Sequence, residues 1–192
     1  MRRKIAIMLV IVGTMTTSAF GQITEKDILG RWYTEEKTVT DSDSDGDFQV
    51  LKICMSSEYF RNRVNNFQGE IIMDFVFRSA PLKLGGATLS FRGAEEWQLT
   101  DKSLITKIID VKLRIKDIFF KNDGADVDDD ELERFKGNML EEIKHFLYAG
   151  KTSDDIIIAA DKDRIIIETS EDDGTKKLSQ LFRTSKLLDG CK

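Results

Sequence analysis

Three stretches of the chain alternate apolar and polar residues with a period of two, the pattern of strands that bury one face. In "EIIMDFVFR", Ile71, Met73, Phe75 and Phe77 oppose Ile72, Asp74, Val76 and Arg78. In "ATLSFR", Ala87, Leu89 and Phe91 oppose Thr88, Ser90 and Arg92. In "IDVKLRIKD", Ile109, Val111, Leu113 and Ile115 oppose Asp110, Lys112, Arg114 and Lys116. A central parallel strand would be apolar on both faces, so this last stretch belongs to a sheet with water on one side. Further strands are expected at 32–40, 48–55, 59–64, 95–100, 156–160, 164–169 and 177–185. The connections are short and built of turn residues: "NN" at 65–66, "LGG" at 84–86, "TDKS" at 100–103, "DKD" at 161–163 and "EDDGT" at 171–175. Tight turns join antiparallel neighbours. The expected fold is therefore mainly β: an antiparallel up-and-down meander of eight to ten strands, closing into a barrel-like sheet that hides its edges.

One segment has a different period. In "DDDELERFKGNMLEEIKHFLYAGK", Leu132, Phe135, Met139, Ile143, Phe146 and Leu147 recur at spacings of three and four, one face of an amphipathic helix over about 129–149. Asp128 and Glu131 have the form of a capping box, the acidic first turn suits the helix dipole, and Gly150 provides a stop. The apolar stripe is expected to pack on the sheet or cap one end of the barrel.

The first 21 residues read as a signal peptide. Arg2, Arg3 and Lys4 precede an apolar run from Ile5 to Val12, and Ala19 and Gly21 stand at positions −3 and −1 of a cleavage site. The run is too short to span a bilayer, which takes about 20 apolar residues. The expectation is a periplasmic or secreted chain with no membrane span after cleavage. With one proline, Pro81, and no Gly/Ser-rich linker, residues 22–192 read as a single domain. Losing the leader's three positive charges moves the formal net charge from −5 to about −8. Phosphate backbones and anionic lipid would repel such a chain, which disfavours nucleic acid as a partner. Two cysteines, Cys54 and Cys191, remain. In an oxidising compartment their simplest state is a disulfide, contributing about 4–5 kcal/mol through loop closure, although spacing alone leaves two free thiols open.

Candidate chemistry is sparse. "DSDSDGD" places Asp41, Asp43, Asp45 and Asp47 around Gly46 in the spacing that opens a calcium loop. The twelfth position is Lys52 instead of a bidentate glutamate, and strands flank the loop on both sides. Either it binds calcium weakly, at about 0.1–1 mM, or it is a solvated acidic hairpin. No other cofactor is suggested. The single histidine, His145, lacks the partners of a zinc or triad site. Glu95–Glu96 and Asp154–Asp155 are adjacent pairs, whose members point to opposite faces of a strand. No catalytic residues are assigned, and an enzyme is not expected.

At "DILGRWY", residues 27–33, a short apolar lead-in and Gly-x-Trp open the first strand just after the export signal. This resembles the start of lipocalin-like (calycin) β-barrels. The resemblance implies that Trp32, following Gly30, packs at the closed end of a barrel, beneath Arg183 of the last strand. A C-terminal cysteine tied back to an early strand, Cys191 to Cys54, is an arrangement that some lipocalins share. The chain departs from that family in two ways: its helix precedes the last three strands, and "LTDKS" is a poor echo of the family's Thr-Asp-Tyr. The expected function is an exported, non-enzymatic binding protein for a small hydrophobic ligand, with Phe75, Phe77, Phe91 and Trp97 as candidate lining. With twelve phenylalanines in the chain, a filled interior stays open. The alternative is an inhibitor or immunity-type protein that meets a basic protein partner through its acidic surface.

Overall fold

The computed structural model describes residues 23–37, 48–77, 83–121, 128–170, 174 and 176–191. The expected leader, residues 1–21, and the Asp41–Asp47 loop lie outside these residues. In chain order the elements are α1 (Glu25–Ile28), β1 (Gly30–Glu36), β2 (Phe48–Tyr59), β3 (Val64–Phe77), β4 (Lys83–Leu99), β5 (Ser103–Phe120), α2 (Asp129–Phe146), β6 (Thr152–Ala160), β7 (Arg164–Ser170) and β8 (Lys176–Arg183). Each strand pairs antiparallel with the next, and β8 returns to β1, so eight strands form a closed barrel.

The strands are fewer and longer than the period alone suggested. The strand expected at 59–64 is instead a turn over 60–63: β2 ends at Tyr59, and Arg63 adopts a left-handed φ of 66° before β3 begins at Val64. Asn65–Asn66 and Leu84–Gly86, expected as turns, lie inside β3 and β4. Asn65 is fully buried and its amide donates to Glu95 Oε1 at 2.6 Å, so a typical turn residue is held in the sheet by a side-chain partner. The stretches around Phe91 and Trp97 fuse into one 17-residue strand whose inward positions, Ala87, Leu89, Phe91, Gly93, Glu95 and Trp97, keep one parity. Gly69 of β3 marks a close approach, because a Cβ there would lie 2.0 Å from the Cys54 carbonyl oxygen and 2.7 Å from the Phe91 ring.

Unequal strand lengths divide the interior. β5 pairs with β6 only from Ser103 to Lys107, and beyond that its sheet partner is β4. The far halves of β3, β4 and β5 therefore extend past the short strands, and α2 covers their apolar face. Met139 and Ile143 are buried there with Phe67, Ile71, Met73, Phe75, Leu89 and Phe91, each such side chain contributing about 1.5–3 kcal/mol. Glu131 N donates to Asp128 Oδ1 at 3.0 Å, the expected cap. The helix stops at Phe146 rather than near 149. Gly150, at φ +97°, instead turns the chain so that its N–H donates to Ile108 O at 2.7 Å. At the opposite end Ile28, Trp32, Tyr59, Trp97, Leu104, Ile157, Ile165 and Leu181 form a second cluster.

The C-terminal segment straps the outside of β2 and β3. Cys54 and Cys191 form a disulfide, with Cα atoms 5.2 Å apart and a separation of 137 positions in sequence. Around it Leu188 N donates to Ser56 Oγ (3.0 Å), Cys191 N to Glu70 Oε2 (3.2 Å) and Gln68 Nε2 to Asp189 Oδ1 (2.6 Å). The strap thus covers polar groups that would otherwise face solvent, and the bond restrains most of the chain when unfolded. Replacing both cysteines with alanine should cost about 2–5 kcal/mol and lower the melting temperature by about 5–15 °C. An unchanged melting curve would show that the strap holds without its covalent link.

Candidate functional site

Between the two apolar clusters the barrel is hollow. A cavity of about 230 Å³ is bordered by Phe67 and Ile108 from the α2 side and by Tyr59, Leu104 and Leu181 from the other. Strand alternation decides what else faces it. The parity that buries Trp32 also turns Thr34 and Glu36 of β1 inward, and Ser179 shares parity with Leu181 on β8. Glu95 shares it with Phe91 and Trp97, and Ser153 and Asp155 share it with Ile157. Thr106 of β5 and Thr169 of β7 complete a polar belt at the same level, while Leu147 and Lys151, which follow α2, close the border.

The belt is acidic and largely matched by neutral donors. Glu95 accepts from Asn65 Nδ2 at 2.6 Å, and Asp155 accepts from Thr169 Oγ1 at 2.6 Å and Ser153 Oγ at 3.1 Å. Glu36 differs, taking Lys177 Nζ at 2.6 Å and Ser179 Oγ at 2.5 Å. Burial pushes the Glu95 carboxyl up to about 7, against the hydrogen bonds from Asn65 and Thr106 and with help from the charge of Asp155. Burial likewise raises Asp155, whose nearby charges are those of Asp154 and Glu36. The Tyr59 phenol is pushed well above its usual range, first by burial and then by Glu95 and Asp155. These groups therefore feel one another across the cavity. Among the described residues three buried oxygens, Thr34 Oγ1, Ser57 Oγ and Asn65 Oδ1, have no hydrogen-bond partner, and of these three residues Thr34 borders the cavity.

No family model matches this chain, and no curated protein is similar to it.

The residues named from sequence fall in three places. Trp32 and Arg183 meet as expected: the guanidinium carbon lies 3.9 Å from the indole centroid, and the indole N–H donates to Ile28 O at 2.7 Å. Gly30 fits beside them because a Cβ would come 2.6 Å from Arg183 Nη1, and its φ of +112° suits only glycine. Phe75 and Phe91 pack in the α2 cluster, Phe75 at 4.8 Å from Phe135 and 5.6 Å from Phe120, and Phe91 at 6.1 Å from Phe67. Trp97 packs in the other cluster, edge-on to Tyr59 at 5.7 Å. None of these three borders the cavity, and the Phe77 side chain lies outside the described residues. His145 is on the exposed side of α2. Among the described residues no three His, Cys, Asp or Glu side chains converge to hold a metal.

The belt itself escaped sequence reading. Adjacent acids do point to opposite faces, and for that reason one member of each pair, Glu95 and Asp155, points into the barrel. Because Glu95 holds its proton more tightly folded than at its ordinary 4.5, the folded chain binds the extra proton between pH 4.5 and about 7. Stability from this group is fully present below 4.5 and is lost as pH rises through about 7. Asp155 acts in the same direction. The stability of Glu95→Gln relative to the native chain should therefore increase from about pH 5 to about pH 8, by up to ~3 kcal/mol at 1.4 per unit. Denaturant melts at both pH values check it, and a pH-independent difference would contradict the buried placement.

Proposed function

We propose that the chain is an exported, lipocalin-like binding protein that holds a small amphipathic ligand inside its barrel. The observation that carries this reading is the cavity: an apolar wall of Phe67, Leu104, Ile108 and Leu181 meets convergent polar groups on several strands. Such a mixture of apolar surface and a few oriented polar groups characterises small-molecule sites. Its volume lies below the usual range of about 300–1,000 Å³, so the ligand is small. The Gly30–Trp32–Arg183 arrangement and the Cys54–Cys191 disulfide support the likeness to that barrel family and to an oxidising compartment. The hydroxyls and carboxylates of the belt come from several strands, an arrangement suited to fixing the orientation of a ligand.

The test is occlusion. Ile167 is half-buried and borders the cavity, so Ile167→Trp fills space without removing a fully packed side chain. A panel of small amphipathic compounds should contain members that raise the native melting temperature by about 5–10 °C at about a hundredfold excess over Kd. The same members should lose that effect on Ile167→Trp while circular dichroism stays unchanged. If no member shifts the native protein, function belongs to the outer surface, where Ile156, Ile158, Leu178 and Phe182 stand exposed on β6 and β8.

A further inference from the structure

We propose that the cavity selects a small organic cation, an ammonium group on a compact apolar body, seated where Glu95, Asp155 and Thr34 face the space. This rests on the small-ligand reading above and names the chemistry of its ligand. Besides the Tyr59 phenol, three acids and one base border the cavity: Glu36, Glu95, Asp155 and Lys151. Glu36 is met by Lys177 at 2.6 Å. Among the described residues, the donors that reach Glu95 and Asp155 are the neutral groups of Asn65, Thr106, Thr169 and Ser153, and the charges that raise their proton affinity are those of other carboxylates. Two carboxylates that border one small space, the charge of Asp155 acting on Glu95, repel each other, and a cation beside them relieves both.

A second observation is independent of charge. Thr34 is 8 % exposed, borders the cavity and leaves its hydroxyl unpartnered. The Thr34 hydroxyl keeps acceptor lone pairs unused beside this space, and an ammonium supplies three donors and no acceptor. A bare metal ion fits poorly, because no three ligand-type side chains converge among the described residues. The carboxylates are set around an apolar wall that includes Tyr59 and Phe67, which suits a cation with a body.

Three probes of one shape and different charge separate the ideas: phenethylamine, 2-phenylethanol and phenylacetate, titrated calorimetrically into the full mature chain. The amine should bind at least about tenfold more tightly than the alcohol, and phenylacetate more weakly than both. Paired Glu95→Gln and Asp155→Asn should weaken the amine at least about tenfold and leave the alcohol unchanged, with the fold checked by circular dichroism. A readout without variants accompanies it: on the native protein, amine affinity should fall as pH is lowered from about 8 to about 5, while alcohol affinity should not, since protonated carboxyls no longer attract the amine. Alcohol binding as tightly as the amine, with the variants inert, would overturn the cation and leave the small-ligand site standing. Failure of all three at millimolar concentration would overturn both.

Discussion

The barrel depends on a narrow seam. β1 and β8 share backbone register at only Trp32–Arg183 and Tyr33–Phe182, so side chains complete the closure. Arg183 lies over Trp32, donates through Nη1 to Leu29 O and through Nη2 to Asp27 O, and reaches Lys162 O with Nε. One guanidinium thereby ties α1, the β6–β7 turn and the first strand together, a task its planar fork performs and a lysine would not. At the upper end of the same seam Glu36 takes Lys177 and Ser179 of β8. A side chain at each end compensates for the short backbone ladder between them.

Closure has an electrostatic consequence. Once water is restricted, a carboxylate facing inward loses solvation that hydrogen bonds only partly replace. Glu95, with Asn65 and Thr106 beside it, is the clearest case, and its proton affinity rises accordingly. A solid apolar filling would be the more stable choice at these positions. Keeping acids, hydroxyls and an unpartnered Thr34 oxygen in the middle of a barrel is costly, and binding sites are where such costs recur. The apolar clusters on either side, one sealed by α2 and the other around Trp32, supply the stability that tolerates it.

Much of this architecture was legible in the chain, and the misses have physical reasons. Alternation around Met73, Phe91 and Leu113 announced an antiparallel sheet, and the three-four spacing from Leu132 to Leu147 announced α2. Gly30, Trp32 and Arg183 were readable because one packing motif needs all three. Asn65–Asn66 and Leu84–Gly86 misled because turn propensity is local, whereas their strand pairing is set by partners distant in sequence. The cavity was invisible for a related reason. Aromatic residues were the natural candidates for lining, yet large rings fill the space beneath α2, and smaller polar residues leave room at the belt. Parity along β4, carried two residues past Gly93, was the signal that would have brought Glu95 inside. In β6 the run Ile156–Ile157–Ile158 hides the phase that Asp155 shares with Ile157.

That a closed seam encloses a partly dry, acid-lined space is the claim on which the functional reading stands. It is tested most directly by following the Glu95 side-chain carboxyl carbon by NMR across a pH titration of the ligand-free protein. A midpoint near 7 is the predicted result. A midpoint near 4.5, the value of a solvated glutamate, would place Glu95 in open water and remove the site.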